Sequence, residues 1–384
     1  MGAGLAQGDA GALRAGAAAV GLALALAAFA CEGPPCEEVA GDVCAVVGSG
    51  EIGFNGDGLA PTATDLYLVS AARRGPDERL YVMDFNNQRL RRIGDDGQVE
   101  TVIGSGEHAI ASVGAPALAT PLENPIDFAW RSDGRLVFVS YHDPRVLELT
   151  PEGVLRTVAG AADGVVGTVG DEGDGGPASG ALFIQLDGIA VAGDDTIYVS
   201  DSLANRVRRI APGEDGVITT VAGTGEAGFA GDGGPGTAAA LRWPTALALG
   251  GEGELFIADS LNHVVRRLAS DGVITTVAGV GGAAGFGGDG GPATAARLDQ
   301  PFGVAFDAAD GSLYVGDRGN FRVRRVDAAG TIATIGGDGV DGRHGDGGPA
   351  LKASFGYVAR VAIDGESLLV ADQSNARVRR IVLR

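Results

Sequence analysis

The chain has 384 residues, 45% of them hydrophobic and 66 of them glycine, with a formal net charge of −20 and a pI near 4.5. That length supports one large domain or two ordinary ones with a sizeable core, and so much glycine calls for many tight turns. The acidic balance excludes a nucleic-acid surface, which needs clustered, unopposed lysine and arginine; four histidines and two methionines leave little material for catalysis or redox chemistry.

Residues 1–30 read as a targeting segment. An uncharged apolar run at 15–30 follows Arg14, the shape of a signal-peptide core, and falls short of the ~20 apolar residues that a membrane span needs. Ala28-Phe29-Ala30 offers a small-x-small cleavage site, and Cys31 follows it. The junction LAAFAC resembles a bacterial lipobox, in which Cys31 would be the lipid-modified first residue, although Ala28 stands where that motif prefers leucine. The protein is thus expected outside the cytoplasm, either lipid-anchored to the cell envelope or secreted or periplasmic. Residues 31–42 form a leader, and without a lipidated Cys31 the pair Cys36 and Cys44 remains to close a small disulfide loop in an oxidising compartment. No histidine lies near these cysteines to complete a zinc site.

From residue 43 onward the chain repeats. Ala45-Val-Val-Gly48, Thr101-Val-Ile-Gly104, Thr157-Val-Ala-Gly160, Thr220-Val-Ala-Gly223, Thr276-Val-Ala-Gly279 and Thr334-Ile-Gly-Gly337 recur at intervals of 56, 56, 63, 56 and 58 residues, a period that means stacked supersecondary units. Gly223-Thr-Gly225-Glu-Ala-Gly228 after a β-favouring run matches the GxGxxG of a dinucleotide-binding turn. Yet Gly48-Ser-Gly50-Glu-Ile-Gly53 repeats it at the same phase, and FAGDGGP rather than a helix follows, so a nucleotide site is rejected.

Each unit carries four short strands, shown most clearly by the fifth: Gly303–Phe306 (a), Leu313–Gly316 (b), Arg322–Val326 (c) and Thr331–Ile335 (d), joined by aspartate- and glycine-rich turns. Four-stranded units repeated radially make a β-propeller. Strand b with its closing residue recurs six times, at Leu80 to Asp84, Leu136 to Ser140, Ile197 to Asp201, Leu255 to Asp259, Leu313 to Asp317 and Leu368 to Asp372. The last unit lacks its own strand d, and Val43 to Gly48 supplies it, which predicts an all-β, six-bladed propeller over 43–384 closed by its N-terminal strand.

The pattern VAGxGxxGFxGDGGPATxAxL, PxGVAxD, LYVxDxxNxRVRR resembles the NHL repeat, as found in exported bacterial proteins and in teneurins. The resemblance covers nearly all of 43–384 and implies the six-bladed propeller. It leaves function open, because the family includes protein-binding, RNA-binding and enzymatic members.

In such a fold the b-to-c and d-to-a loops share one face. Asp57, Asp174, Asp232, Asp289 and Asp346 sit in the GDG segments of the d-to-a loops, where glycine supplies positive φ, aspartate caps free amides and proline opens a short helix, for example at 293–298. Calcium is the alternative, with Asp171, Glu172 and Asp174, or Asp338, Asp341 and Asp346, as the carboxylate-rich candidates. In the b-to-c turns, Asp84 with Arg89, Asp201 with Arg206, Asp317 with Arg322 and Asp372 with Arg377 are expected to pair locally. Phe54, Phe229 and Phe286 precede the GDG and are expected to wedge between blades; Arg343 holds that phase in the last unit.

The second unit departs from both patterns, with Ser140 and Tyr141 in place of the aspartate and Val113-Gly-Ala-Pro116 in place of GDGGP, so its loops are a place for specificity. The four histidines, His108, His142, His263 and His344, all fall on this face without a common phase. The expected function is non-catalytic binding of a protein, peptide or glycan by a monomer, with no cofactor, no metal and no catalytic residue. The competing reading is a metal-dependent lyase or lactonase at the channel mouth, since the resemblance extends to peptide-amidating lyases, whose metal ligands surround the central channel.

Overall fold

A computed structural model describes residues 39–161 and 172–384. Among the described residues there are six antiparallel sheets, each built on four strands in the order a-b-c-d, the sixth carrying a short fifth strand. The first comprises Val69–Arg74, Leu80–Asp84, Arg89–Ile93 and Val99–Ile103. In the sixth, Val358–Asp364, Ser367–Asp372 and Arg377–Val382 are completed by Asp42–Val47. Val43 stands opposite Ile381, Cys44 opposite Arg380 and Ala45 opposite Arg379, and the two-residue strand Gly348–Pro349 adds a short outer edge. The expected closure is therefore present, and it ties the two ends of the propeller through backbone hydrogen bonds. Cys44 is buried and disulfide-bonded. Cys31 and Cys36, the targeting segment and Asp171 lie outside the described residues.

The core is a ring of inter-blade seams rather than one centre. Six apolar clusters each join two successive blades; the first-to-second seam, for example, packs Met83, Leu90 and Ile103 against Leu122, Phe128 and Leu147. Strands a and b are buried on both faces, which is why they read as continuous apolar runs. Around the axis the a strands approach so closely that a Cβ on Gly188 would lie 2.7 Å from the Thr245 carbonyl, and one on Gly303 2.7 Å from that of Ala359.

The GxG motif has a structural cause. Its first glycine turns the chain out of strand d over the b-to-c turn at φ of 93° to 104°, where a Cβ on Gly48, Gly104, Gly223, Gly279 or Gly337 would lie 2.1–2.3 Å from a carbonyl. The second leaves room for an arginine: Arg89, Arg206, Arg322 and Arg377 donate to the carbonyls of Ser105, Thr224, Asp338 and Ser49 between the two glycines, at 2.7–3.0 Å.

That arrangement corrects the expected turn pairs. Asp84 and Arg89, Asp201 and Arg206, Asp317 and Arg322, and Asp372 and Arg377 are opposed in the ladder, but their side chains do not form the ion pair. Each acid is fully buried and takes donors within reach. Asp84, Asp259, Asp317 and Asp372 accept from the amides of Tyr67, Arg242, Asp299 and Gly356 and from Asn87, Asn262, Asn320 and Asn375. The paired cation lies two residues beyond the expected one and also reaches the GDG aspartate. Arg91 lies 2.9 Å from Asp57 and 3.5 Å from Asp84, Arg266 2.6 Å from Asp232 and 3.5 Å from Asp259, and Arg324 2.6 Å from Asp289 and 3.1 Å from Asp317. Arg379 joins Asp346 and Asp372 at 2.8 and 3.4 Å, and Arg208 joins Asp174 at 2.5 Å beside Asp201. Five of the six blades thus bury an arginine between two aspartates, one from each loop of the same face.

The same arginines explain the other loop residues. Phe54, Phe229 and Phe286 are half-exposed, their rings 5.0, 5.2 and 5.0 Å from the guanidinium carbons of Arg91, Arg266 and Arg324, with Arg89 and Arg322 closer still to Phe54 and Phe286 at 3.9 Å; they lie as lids over these arginines. Arg343 donates to the Gly50 carbonyl at 3.1 Å. Arg208 and Arg379 engage the carboxylates of Asp174 and Asp346, two of the residues weighed as calcium ligands, and the helix expected at 293–298 is the single turn Ala293–Ala295. The second blade replaces the whole triad: Leu147 opposes Phe138 as Arg91 opposes Val82, Ser140 closes strand b, and Val113 holds the GDG position.

Two carboxylates flank each guanidinium, and burial sets the inner one apart. Burial pushes the inner acids Asp84, Asp201, Asp259, Asp317 and Asp372 up to about 6, desolvation outweighing their hydrogen bonds and the nearby arginine. For the outer Asp289, desolvation is overcome by the Thr334 hydroxyl and Arg324, which hold it below the usual carboxylate range.

Two outcomes follow. Arg266→Leu alone leaves Asp259 buried and uncompensated and should lower unfolding free energy by about 3–5 kcal/mol, whereas Asp232→Val, Arg266→Leu and Asp259→Ser together, reproducing the second blade, should recover most of that loss in urea titrations. An acid with a folded pKa near 6 against 3.8 in the unfolded chain contributes stability that is complete below about pH 4 and lost as the pH rises through 6. The melting temperature of wild type minus that of Asp317→Asn should therefore be larger at about pH 4 than at about pH 8.

Candidate functional site

The channel is closed on the loop side by side chains that the repeat does not dictate. Arg360, the third residue of the sixth strand a, is buried on the axis and donates to the carbonyls of Phe302 (3.2 Å), Asp187 (2.7 Å) and Thr245 (2.9 Å). It also lies 3.4 Å from Asp127, which Arg73 contacts at 2.6 Å. One side chain thus bridges the second to fifth blades from the sixth. Beyond it, toward the opposite face, the channel opens into a cavity of about 340 Å³ lined by the lower halves of all six a strands.

Above Arg360, strand a brings Ser70, Ile126, Asp187, Thr245, Phe302 and Ala359 to the same level, with no histidine among them. Asp187 (Leu186–Val191) is fully buried; it accepts from Gln185 and the Trp243 indole, both at 3.2 Å, through one oxygen, while the other has no hydrogen-bond partner. Burial raises its pKa against the pull of Ser202 and Arg360. Arg318, the first residue of a b-to-c turn, lies over Tyr357 (4.3 Å) and Phe302 (4.9 Å), and desolvation lowers its pKa. Tyr141, at the same position in the second blade, is raised first by desolvation and then by the charge of Asp187.

Aromatic rings surround this polar centre. Trp243 packs edge-on to Phe302, Phe85 to Tyr141, and Phe321 stacks on Tyr357 with centroids 5.7 Å apart. Phe302 is the second residue of its strand a; the others come from two places, the b-to-c turns and the residues just before strand a, where backbone geometry is constant and side chains vary. The arrangement can stack on apolar faces and exchange hydrogen bonds with polar groups.

Of the residues expected on the binding face, Tyr141 reaches this mouth. Phe54, Asp57, Asp174, Phe229, Asp232, Phe286, Asp289 and Asp346 are engaged in the triads. His108 and His142 meet at the rim beside Glu123, His263 accepts the Gln300 amide at Nδ1, and His344 bonds Ser354. Asp187, Trp243, Arg318, Tyr357 and Arg360 were not singled out by the sequence. Aligning the units on strand a would have exposed them as the varied positions of an otherwise regular pattern.

The chain matches no protein-family model. It is 29% identical over 356 residues to Teneurin-m of Drosophila melanogaster, covering 85% of this chain and 12% of that one, so it spans about an eighth of this relative. Among solved structures, an auxiliary nutrient binding protein from Bacteroides thetaiotaomicron superposes with a TM-score of 0.60 at 16% identity, over 88% of this chain and 75% of that one. A gluconolactonase from Xanthomonas campestris does so at 0.54 and 14%, over 83% and 87%. With its repeat motif, its six closed blades and its similarity to teneurin, the chain is a six-bladed β-propeller whose repeats are similar to those of the teneurin NHL domain.

Proposed function

We propose that this propeller works outside the cytoplasm and binds a protein, peptide or glycan at the channel mouth without transforming it, a glycan being the ligand the mouth suits best. The observation that carries the reading is the aromatic girdle of Phe85, Tyr141, Trp243, Phe321 and Tyr357 around Asp187 and Arg318. Flat rings stack on the apolar faces of sugars, and Arg318 beside them supplies hydrogen-bond donors for hydroxyls. The nutrient-binding role in the name of the Bacteroides neighbour agrees with this. Export is supported by the apolar run at 15–30 and by the disulfide at Cys44, and Cys31 is proposed as a lipid anchor. No helix among the described residues is long and apolar enough to cross a membrane.

The second reading, chemistry at the same mouth, is favoured by Asp187 alone, a buried acid raised by desolvation beside Tyr141 and Arg318. Calorimetry against a panel of oligosaccharides and peptides separates the two. A ligand whose affinity drops about tenfold or more in Tyr357→Ala and Tyr141→Ala, and which is recovered unchanged after incubation, is the expected result. Turnover abolished by Asp187→Asn would replace binding with catalysis, and affinity indifferent to both tyrosines would move the site elsewhere.

A further inference from the structure

The second blade gathers three metal-binding side chains on its rim. His108 lies in the d-to-a loop, Glu123 just ahead of strand a, and His142 in the b-to-c turn, and one ligand atom of each lies within 4.8 Å of the others. The Glu123 carboxylate oxygen is 3.1 Å from His108 Nε2 and 3.7 Å from His142 Nδ1. Two donors each ~2.1 Å from a tetrahedral ion stand about 3.4 Å apart, a value these distances bracket.

The backbone holds the three positions together in every blade where the corresponding bonds are seen. His108 bridges Leu122 in parallel, Ala109 donates to the Leu122 carbonyl at 3.1 Å, and His142 donates to that of Glu123 at 3.4 Å. The same bridge joins Ile52 to Leu66, Ala227 to Leu241 and Asp341 to Phe355. Those blades fill the three positions with Ile52, Tyr67 and Asn86; with Ala227, Arg242 and Leu261; and with Asp341, Gly356 and Ser374. Only the second blade, among these, places a ligand at all three, and it is also the blade that lacks the Asp-Arg-Asp triad. The frame is common to the fold; the donor set is particular to this blade.

We infer that His108, Glu123 and His142 form a binding site for a late first-row divalent cation such as zinc. Two imidazoles and one carboxylate suit zinc, copper, nickel or iron(II) rather than calcium or magnesium. Three protein donors leave a coordination position for water or for a donor atom of a bound molecule. Both histidines are about half exposed, so the ion exchanges with solvent, and the His142 ring packs 4.9 Å from that of Tyr141, placing the site at the edge of the mouth. The site stands independently of what the mouth binds.

The test is zinc titration of the purified protein, free of any polyhistidine tag, by calorimetry, with cobalt(II) absorption as a second readout. One equivalent should bind, and His108→Ala, His142→Ala and Glu123→Gln should each weaken it tenfold or more while His263→Ala and His344→Ala leave it unchanged. Glu123→Gln preserves shape, and the melting temperature of each variant reports that it is folded. Absence of binding in the wild type, or binding that survives the three substitutions, or loss that follows His263 or His344 instead, overturns the assignment.

Discussion

A guanidinium buried between two aspartates, one from each loop of the same face, is the interaction on which the loop surface depends. An arginine cannot shed its charge, so burying one demands charged or carbonyl partners on every side. In five blades those partners are the acid closing strand b, the aspartate of GDG and loop carbonyls. The glycines of GxG and GDG, the asparagine three residues after the acid and the phenylalanine over the arginine then follow as the geometry needed to bring two loops onto one cation. Much of the repeat signature is therefore the description of one buried ion cluster.

Because that cluster absorbs the polar groups of the regular loops, the proposed binding draws on the positions it does not use. These are the first residue of each b-to-c turn, the residues before strand a and those reaching the axis, which hold Tyr141, Arg318, Trp243, Tyr357, Asp187 and Arg360. The second blade goes further, replacing aspartate, arginine and aspartate by valine, leucine and serine together. Removal of all three charged groups avoids the stranded charge that losing one would create, and it leaves this blade's loops to carry His108, Glu123 and His142.

The six-bladed ring and its closure by the strand at Val43 were legible in the sequence, because strand periodicity and the missing last strand are local features. The turn pairs were misassigned for a physical reason. Asp84 and Arg89 are nearest in sequence and opposed in the ladder, but a buried acid bonds whatever donors its cavity offers, and those are the Tyr67 amide, Asn87 and Arg91. Phe54, Phe229 and Phe286 were recognised as recurrent but not as lids, since the arginine beneath them is some thirty-five residues away. Asp187 and Arg360 were invisible for the opposite reason: their meaning comes from convergence of six blades on one axis, which no single repeat contains. Glu123 belongs to no repeat motif, and its meaning comes from the fold, which sets it beside two histidines.

Native-state hydrogen exchange tests most directly whether the buried triads fix the loop face. The amides of Tyr67, Arg242, Asp299 and Gly356 donate to the inner aspartates, and if the triads hold the loops these amides exchange only when the whole propeller unfolds. Exchange through local opening, at free energies well below that of global unfolding, would contradict the account, since the loops would then be standing without them.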